Sequence, residues 1–271
     1  MEHQVQACKI LLVNETITLA YKKTIFLFLF ICIFQIFSCA TDKTRFGKKA
    51  GLLENMGNSL FLAGKPREAL PYLLETEKME PLNPVVQREL ALIYQNINQY
   101  DLAFVHIEKA IKLKPDFSEA YNDMGVFYSQ QGKLEDALDC FNKALKNVLY
   151  KTPQFAYHNI GLVYFRMKDY NKAIEFYLKS ISLSPNYMEA YFDLANTYEV
   201  LGDNVKTINT YKKIIDLGPG SLAPYLALAK VYKKTGQIDM AIDKLNYIVG
   251  IDPRSPIAHE AIKLLDEIQS R

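Results

Sequence analysis

The sequence predicts an all-α solenoid of six helical hairpins closed by a C-terminal capping helix, and three observations predict it. A small residue followed three positions later by a large one recurs at Gly57/Leu60, Ala91/Tyr94, Gly125/Tyr128, Gly161/Tyr164, Ala195/Tyr198 and Ala229/Tyr232. The steps between the small residues are 34, 34, 36, 34 and 34, and a fixed period of that length is the signature of stacked repeats. Twelve residues after each small residue stand Ala69, Ala103, Ala137, Ala173, Thr207 and Ala241, and prolines punctuate the chain at Pro81, Pro115, Pro185, Pro219 and Pro253.

Each element follows from this pattern. Tyr121, Met124, Gly125 and Tyr128 are spaced i, i+3, i+4, i+7, one face of a first helix. Ala137, Phe141 and Ala144 make the matching stripe of a second helix. Small residues at the crossing let two helices approach closely while the aromatics fill the space beside them. Gly132, Gly202 and Gly236 fall between the helices of a pair, where a left-handed backbone is needed. Proline suits a helix start and not its interior, so it separates one pair from the next. The pattern over residues 50–255 resembles tetratricopeptide repeats, with bounds 50–83, 84–117, 118–153, 154–187, 188–221 and 222–255. The resemblance implies a right-handed α-solenoid of six tetratricopeptide repeats with a C-terminal capping helix. Thr207 replaces the small alanine of repeat 5, so that pair is expected to pack less closely, and repeat 3 carries two extra residues. Residues 256–271 carry Ile257, Ala261, Leu264, Leu265 and Ile268 on one face and read as the cap that such arrays require.

The segment before the repeats has a different composition. Lys22 and Lys23 precede a run of 14 residues from Thr24 to Phe37, a positive region followed by an apolar one, as in a signal peptide. As a helix the run would be about 21 Å long, short against about 30 Å of bilayer hydrocarbon. It ends in Ile36-Phe37-Ser38-Cys39, which resembles a bacterial lipobox. The resemblance implies cleavage after residue 38, lipid on Cys39 and a membrane attachment through that lipid, with 39–49 as a tether. Ala40 in place of an aspartate points to the outer membrane of a diderm bacterium, facing the periplasm. An uncleaved signal anchor is the alternative. Residues 1–18 exceed what the positive region needs, and the true translation start is expected further along the chain.

Composition and motifs exclude several classes of function. Lys+Arg number 32 against 30 Asp+Glu, a net charge of +2, which gives no support to a nucleic-acid partner. Four cysteines in 271 residues make no disulfide framework; Cys140 reads as an inert thiol. His3, His106, His158 and His259 stand in no metal-ligand spacing such as HExxH. No nucleophile elbow, phosphate loop or dinucleotide fingerprint occurs. Glu135-Asp136 and Asp266-Glu267 are adjacent pairs that diverge on a helix. The reading is of a protein with no catalytic residues, no metal, no cofactor and no small-molecule substrate.

The first helices of such repeats are expected to line a groove. Repeat 4 places Phe155, His158, Leu162, Phe165 and Arg166 there, and the aromatic and aliphatic groups suit a helix or an extended peptide; packing of Phe155 and Phe165 against neighbouring repeats is the alternative. Repeat 5 adds Phe192 and Asn196, and repeat 6 adds Lys230, Lys233 and Lys234, spaced as one basic patch for an acidic partner segment; a hydrated face is the alternative there. The positions that would clamp a chaperone's C-terminal carboxylate hold Glu54, Asn58, Glu89, Glu119 and Asp123, or Arg88, Leu92, Asp123, Phe155 and Asn159, and neither set is basic.

The lipobox directly before the array, the six repeats, and the insertion with Leu149-Tyr150 before Thr152-Pro153 and Asn159-Ile160-Gly161 together resemble the type IV pilus pilotin lipoproteins. That resemblance implies a protein-binding scaffold that rides its lipid to the outer membrane and assists assembly of the pilus secretin subunit. A general periplasm-facing scaffold for polysaccharide export or wall synthesis is the alternative.

Overall fold

The computed structural model describes residues 47–270. The apolar run, the lipobox and Cys39 lie outside the described residues. Among the described residues the chain is all helical, with no strand. Helix α1 spans 47–62, so residues 47–49, placed in the tether by sequence, form its first turn. It is followed by α2 (Pro66–Met79), α3 (Pro84–Asn96), α4 (Tyr100–Leu113), α5 (Ser118–Gln130), α6 (Leu134–Lys146) and α7 (Pro153–Arg166). The chain continues with α8 (Tyr170–Leu183), α9 (Met188–Val200), α10 (Asn204–Leu217), α11 (Ala223–Lys234), α12 (Ile238–Ile251) and α13 (Pro256–Gln269). No helix among the described residues is long and apolar enough to cross a membrane.

Two compact units divide the chain, up to Ala103 and from Phe104 onward. In the first, Gly57 of α1 faces Leu73 of α2, whose side chain is fully buried. A Cβ on Gly57 would stand 3.0 Å from two Leu73 carbons, so only glycine admits that crossing without displacement. Asn83 caps α3 by accepting from the amides of Val85 and Val86. Asn58 Nδ2 of α1 donates to Glu89 Oε1 of α3 at 2.6 Å, while Glu89 Oε2 is buried without a partner. Burial, reinforced by the charge of Glu54 and opposed by Asn58 and Arg88, pushes the Glu89 carboxyl up to about 7.

That carboxyl gives a pH prediction. A folded-state value of about 7 against an ordinary 4.5 means that the folded form binds more protons between those limits. The stabilisation is therefore complete below pH 4.5 and is lost as the pH rises through 7. We expect Glu89→Gln to raise stability at pH 8 by about 1–2 kcal/mol, after allowance for solvent screening, and to change little at pH 5. Thermal melts of both forms at the two pH values check this; a gain at pH 5 equal to that at pH 8 contradicts it.

The second unit repeats the same packing. Gly125 of α5 lies against Phe141 of α6, and Gly161 of α7 lies against Tyr177 of α8; both rings are buried. Ala195 of α9 joins Tyr211, Ile214, Leu228, Tyr232 and Ala241 in one apolar cluster that runs through four helices, α9 to α12. Gly132, Gly202 and Gly236 take φ of 76°, 75° and 75° in the turns within pairs, and Lys168 takes φ 63° at the equivalent place in repeat 4. Thr207 is fully buried, and its hydroxyl donates to Asp203 O at 2.8 Å, one turn back in the same helix. Helix α13 closes the array: Ala258 and Ala261 are buried against Tyr225, Leu226 and Leu245, with Leu264, Leu265 and Ile268 packed beside them. Burial pushes the Cys140 thiol up to about 11, so little reactive thiolate forms at neutral pH.

Candidate protein-binding face of repeats 4 to 6

Helices α7, α9 and α11 carry all of the predicted groove residues, and the structure sorts them into three groups. Phe155 on the first turn of α7 stays open, at 39% exposure, as do Asn196 of α9 and Lys234 of α11. Leu162 and Phe165 pack against the cluster of Ala173, Tyr177 and Leu194, and Phe165 meets Tyr170 edge-on at 5.4 Å. Phe192 packs against the next cluster and meets Tyr211 at 6.4 Å. Of the three apolar groups expected open in repeat 4, Phe155 is exposed while Leu162 and Phe165 are half-buried against residues of α8 and α9.

The remaining residues tie one repeat to the next. His158 is buried; its Nε2 lies 2.6 Å from Asp193 Oδ2 of α9, and its Nδ1 lies 3.1 Å from the Tyr187 hydroxyl. Tyr187 stands edge-on to both Phe155 and His158, each at 5.2 Å. Arg166 Nη1 donates to Ser129 O at 2.7 Å and to Ser129 Oγ at 3.0 Å. Asn159 Nδ2 donates to Asn122 Oδ1 at 3.0 Å.

The predicted basic patch of α11 is also altered. Lys230 pairs with Glu260 at 2.7 Å and Lys233 with Glu267 at 2.5 Å, both carboxylates coming from α13. Two of the three lysines are balanced by the capping helix. The patch read from sequence is therefore corrected to a cation–carboxylate seam with Lys234 beside it.

The face thus presents an aromatic corner, Phe155 on Tyr187, backed by a polar chain that runs from Tyr187 through the buried His158 to the half-buried Asp193. Burial, with the charges of Glu189 and Asp193 adding to it, pushes the Tyr187 phenol up to about 12. It stays neutral and can donate its proton to His158 Nδ1, which makes the chain a positioning device with no nucleophile in it. Sequence reasoning missed Tyr187 and Asp193. Asp193 was within reach of it: His158 is the fifth residue of its repeat and Asp193 the sixth of the next, the same relation as Asn122 to Asn159. Among the described residues no group of three or more His, Cys, Asp or Glu side chains could hold a metal ion.

Paired helices of 34-residue period, glycine or alanine at each crossing and a closing helix define a helical-repeat scaffold. The chain contains tetratricopeptide repeats: models described by that name match residues 89–117, 118–147, 155–187 and 176–208. Among curated proteins it is similar to the type IV pilus assembly protein PilF of Pseudomonas aeruginosa, 24% identical over 156 residues, 58% of this chain. That alignment covers 62% of the relative, less than two thirds of its length. Among solved structures it is similar to PilW, described as a widely conserved type IV pilus biogenesis factor. The TM-score is 0.70 at 21% identity, covering 79% of this chain and 98% of that one. The P. aeruginosa PilF structure gives a TM-score of 0.66 at 20% identity, covering 79% and 97%. At these identities the structural likeness shows the fold alone: an all-α tetratricopeptide-repeat array.

Proposed function

We propose that the chain is a non-enzymatic pilotin-type lipoprotein. Lipid on Cys39 addresses it to the periplasmic side of the outer membrane, and its repeats hold the pilus secretin subunit during assembly. The observation that carries this reading is that its likeness to PilF extends through sequence as well as fold, over 156 residues. The aromatic corner of repeat 4 supplies a chemically suited contact. Phe155 is large, half-open and held by Tyr187, so it can bury apolar surface against a partner at little cost in side-chain freedom. Asn196 and Lys234 offer polar contacts on the same succession of first helices.

The test is a pulldown from solubilised envelopes with the lipidated full chain as bait, read by mass spectrometry, beside the Phe155→Asp chain. We expect recovery of a secretin subunit, reduced at least about tenfold by the substitution, as for a central aromatic contact. Recovery of polysaccharide-export or wall-synthesis proteins without a secretin defeats the pilotin reading. Recovery of secretin that is indifferent to Phe155→Asp defeats the assignment of the site.

A further inference from the structure

The junctions between repeats share one four-residue turn, closed by a hydrogen bond from the fourth amide to the first carbonyl. It is seen at Asn83 to Glu80, Phe117 to Lys114, Tyr150 to Asn147, Tyr187 to Ser184, Ser221 to Gly218 and Ser255 to Asp252. In five of them the two tip residues begin with proline, and after it come Leu82, Asp116, Asn186, Gly220 or Arg254. Four of the five prolines are followed by a polar residue or glycine, which is ordinary turn chemistry, and the fifth by a single exposed aliphatic, Leu82 at 75% exposure. The turn after α6 departs from this. Its tip is Val148-Leu149, and the two side chains are 95% and 82% exposed.

This aliphatic tip is held firmly. Asn147 Oδ1 accepts from the Leu149 amide at 2.9 Å, and Asn147 Nδ2 donates to Asp116 O of the preceding junction, also at 2.9 Å. On the other side Tyr150 is buried against Ala144, Ala156 and Tyr121. A fold that spends a buried tyrosine and an asparagine side chain on fixing two exposed aliphatics presents them; it does not merely fail to bury them. The charges beside the tip are mostly positive. Lys146 and Lys151 flank it and are exposed, and the adjoining turn adds Lys114 and Asp116, three cations against one anion.

We propose that Val148-Leu149 is a membrane-insertion tip that enters the interface of an anionic lipid surface while Lys146 and Lys151 engage the headgroups. The tip consists of two exposed side chains. That is far less than the area of a stable protein interface, but it suits shallow insertion, in which aliphatic burial and lysine attraction act together. The proposal does not rest on the aromatic corner, which lies on other residues, and a failure of either leaves the other standing.

The chain contains no tryptophan, so Leu149→Trp gives a single reporter at an exposed position, and Arg254→Trp gives its control at a sister turn. Both full-length chains are mixed with excess phosphatidylethanolamine vesicles containing phosphatidylglycerol, with and without brominated acyl chains. We expect a blue shift and bromine quenching for Leu149→Trp, with Arg254→Trp remaining solvent-like. Replacing Lys146 or Lys151 by glutamine should lower the inserted fraction about fivefold each at low salt. Solvent-like, unquenched emission from Leu149→Trp overturns the proposal. So does insertion into purely zwitterionic vesicles at the same level. A blue shift that requires an added protein partner and no lipid overturns it as well, and assigns the tip to a protein contact.

Discussion

Gly161→Val is expected to destabilise the array by about 3 kcal/mol or more, the largest effect we foresee for a single substitution. A Cβ at Gly161 would lie 2.6 Å from two ring carbons of Tyr177, a separation that side-chain carbons do not adopt. Tyr177 is fully buried, with Ala173 and Leu194 in the same cluster and His158 tilted against its ring at 5.7 Å. The ring has nowhere to retreat, and overpacking in a filled core is resolved by moving helices apart. Alanine at Gly161 recovers up to about 1 kcal/mol of helix propensity, so its net cost is smaller; valine adds two methyl groups and a stiff χ1, and recovers little. The clash also predicts a coupling. Tyr177→Leu removes the ring edge, so Gly161→Ala should cost less in a Tyr177→Leu background than in the native one. Urea denaturation of the four chains measures this, and strictly additive changes would show that the crossing is looser than its geometry.

Asp193→Ala is expected to cost about 1–3 kcal/mol by leaving the buried His158 Nε2 without its partner. Asp193 lies one repeat beyond His158, so the loss falls on the join between repeats 4 and 5. In a stacked array stability is divided between the repeats and their interfaces, and weakening one interface should broaden the unfolding transition as well as lower it. Asp193→Asn keeps an acceptor oxygen at the same place and should recover most of the stability. The chain also holds Tyr187, and Tyr187 holds Phe155, so Asp193→Ala should weaken partner binding without touching the contact itself. Circular dichroism melts check the first effect and binding at a temperature where both chains are folded checks the second; equal damage from Asn and Ala would place the role of Asp193 outside the hydrogen bond.

The fold was legible because its rule is short. A small residue is needed wherever two helices cross, a large ring is needed beside it, and the period of 34 repeats that need until it is visible without any alignment. Gly132, Gly202 and Gly236 were equally readable, since each sits where the backbone must turn left-handed. Asn98 and Lys168 do the same work at φ of 64° and 63° and could not be read, because neither residue type announces it. The candidate face was less legible for a physical reason. Positions on a first helix are left open by their own repeat but are covered in part by the neighbouring one. Asp193 reaches back to His158, Arg166 reaches back to Ser129, and Glu260 and Glu267 meet Lys230 and Lys233. A residue can face the groove and still be used by the next repeat, and only the offset between successive repeats reveals it. The insertion in repeat 3 marked itself by its step of 36 residues. That it lifts Val148 and Leu149 into solvent while Tyr150 is buried is not encoded in that spacing.

We propose reception of a protein partner, the pilus secretin subunit, by the face carrying Phe155. It is tested most directly by titrating purified secretin subunit against the full-length chain and against its Phe155→Asp variant, with melts of both to show that they are folded. We expect saturable binding to the native chain and an affinity at least about tenfold weaker for the variant. Saturable binding of equal strength to both chains, or no binding to either while both remain folded, would contradict it.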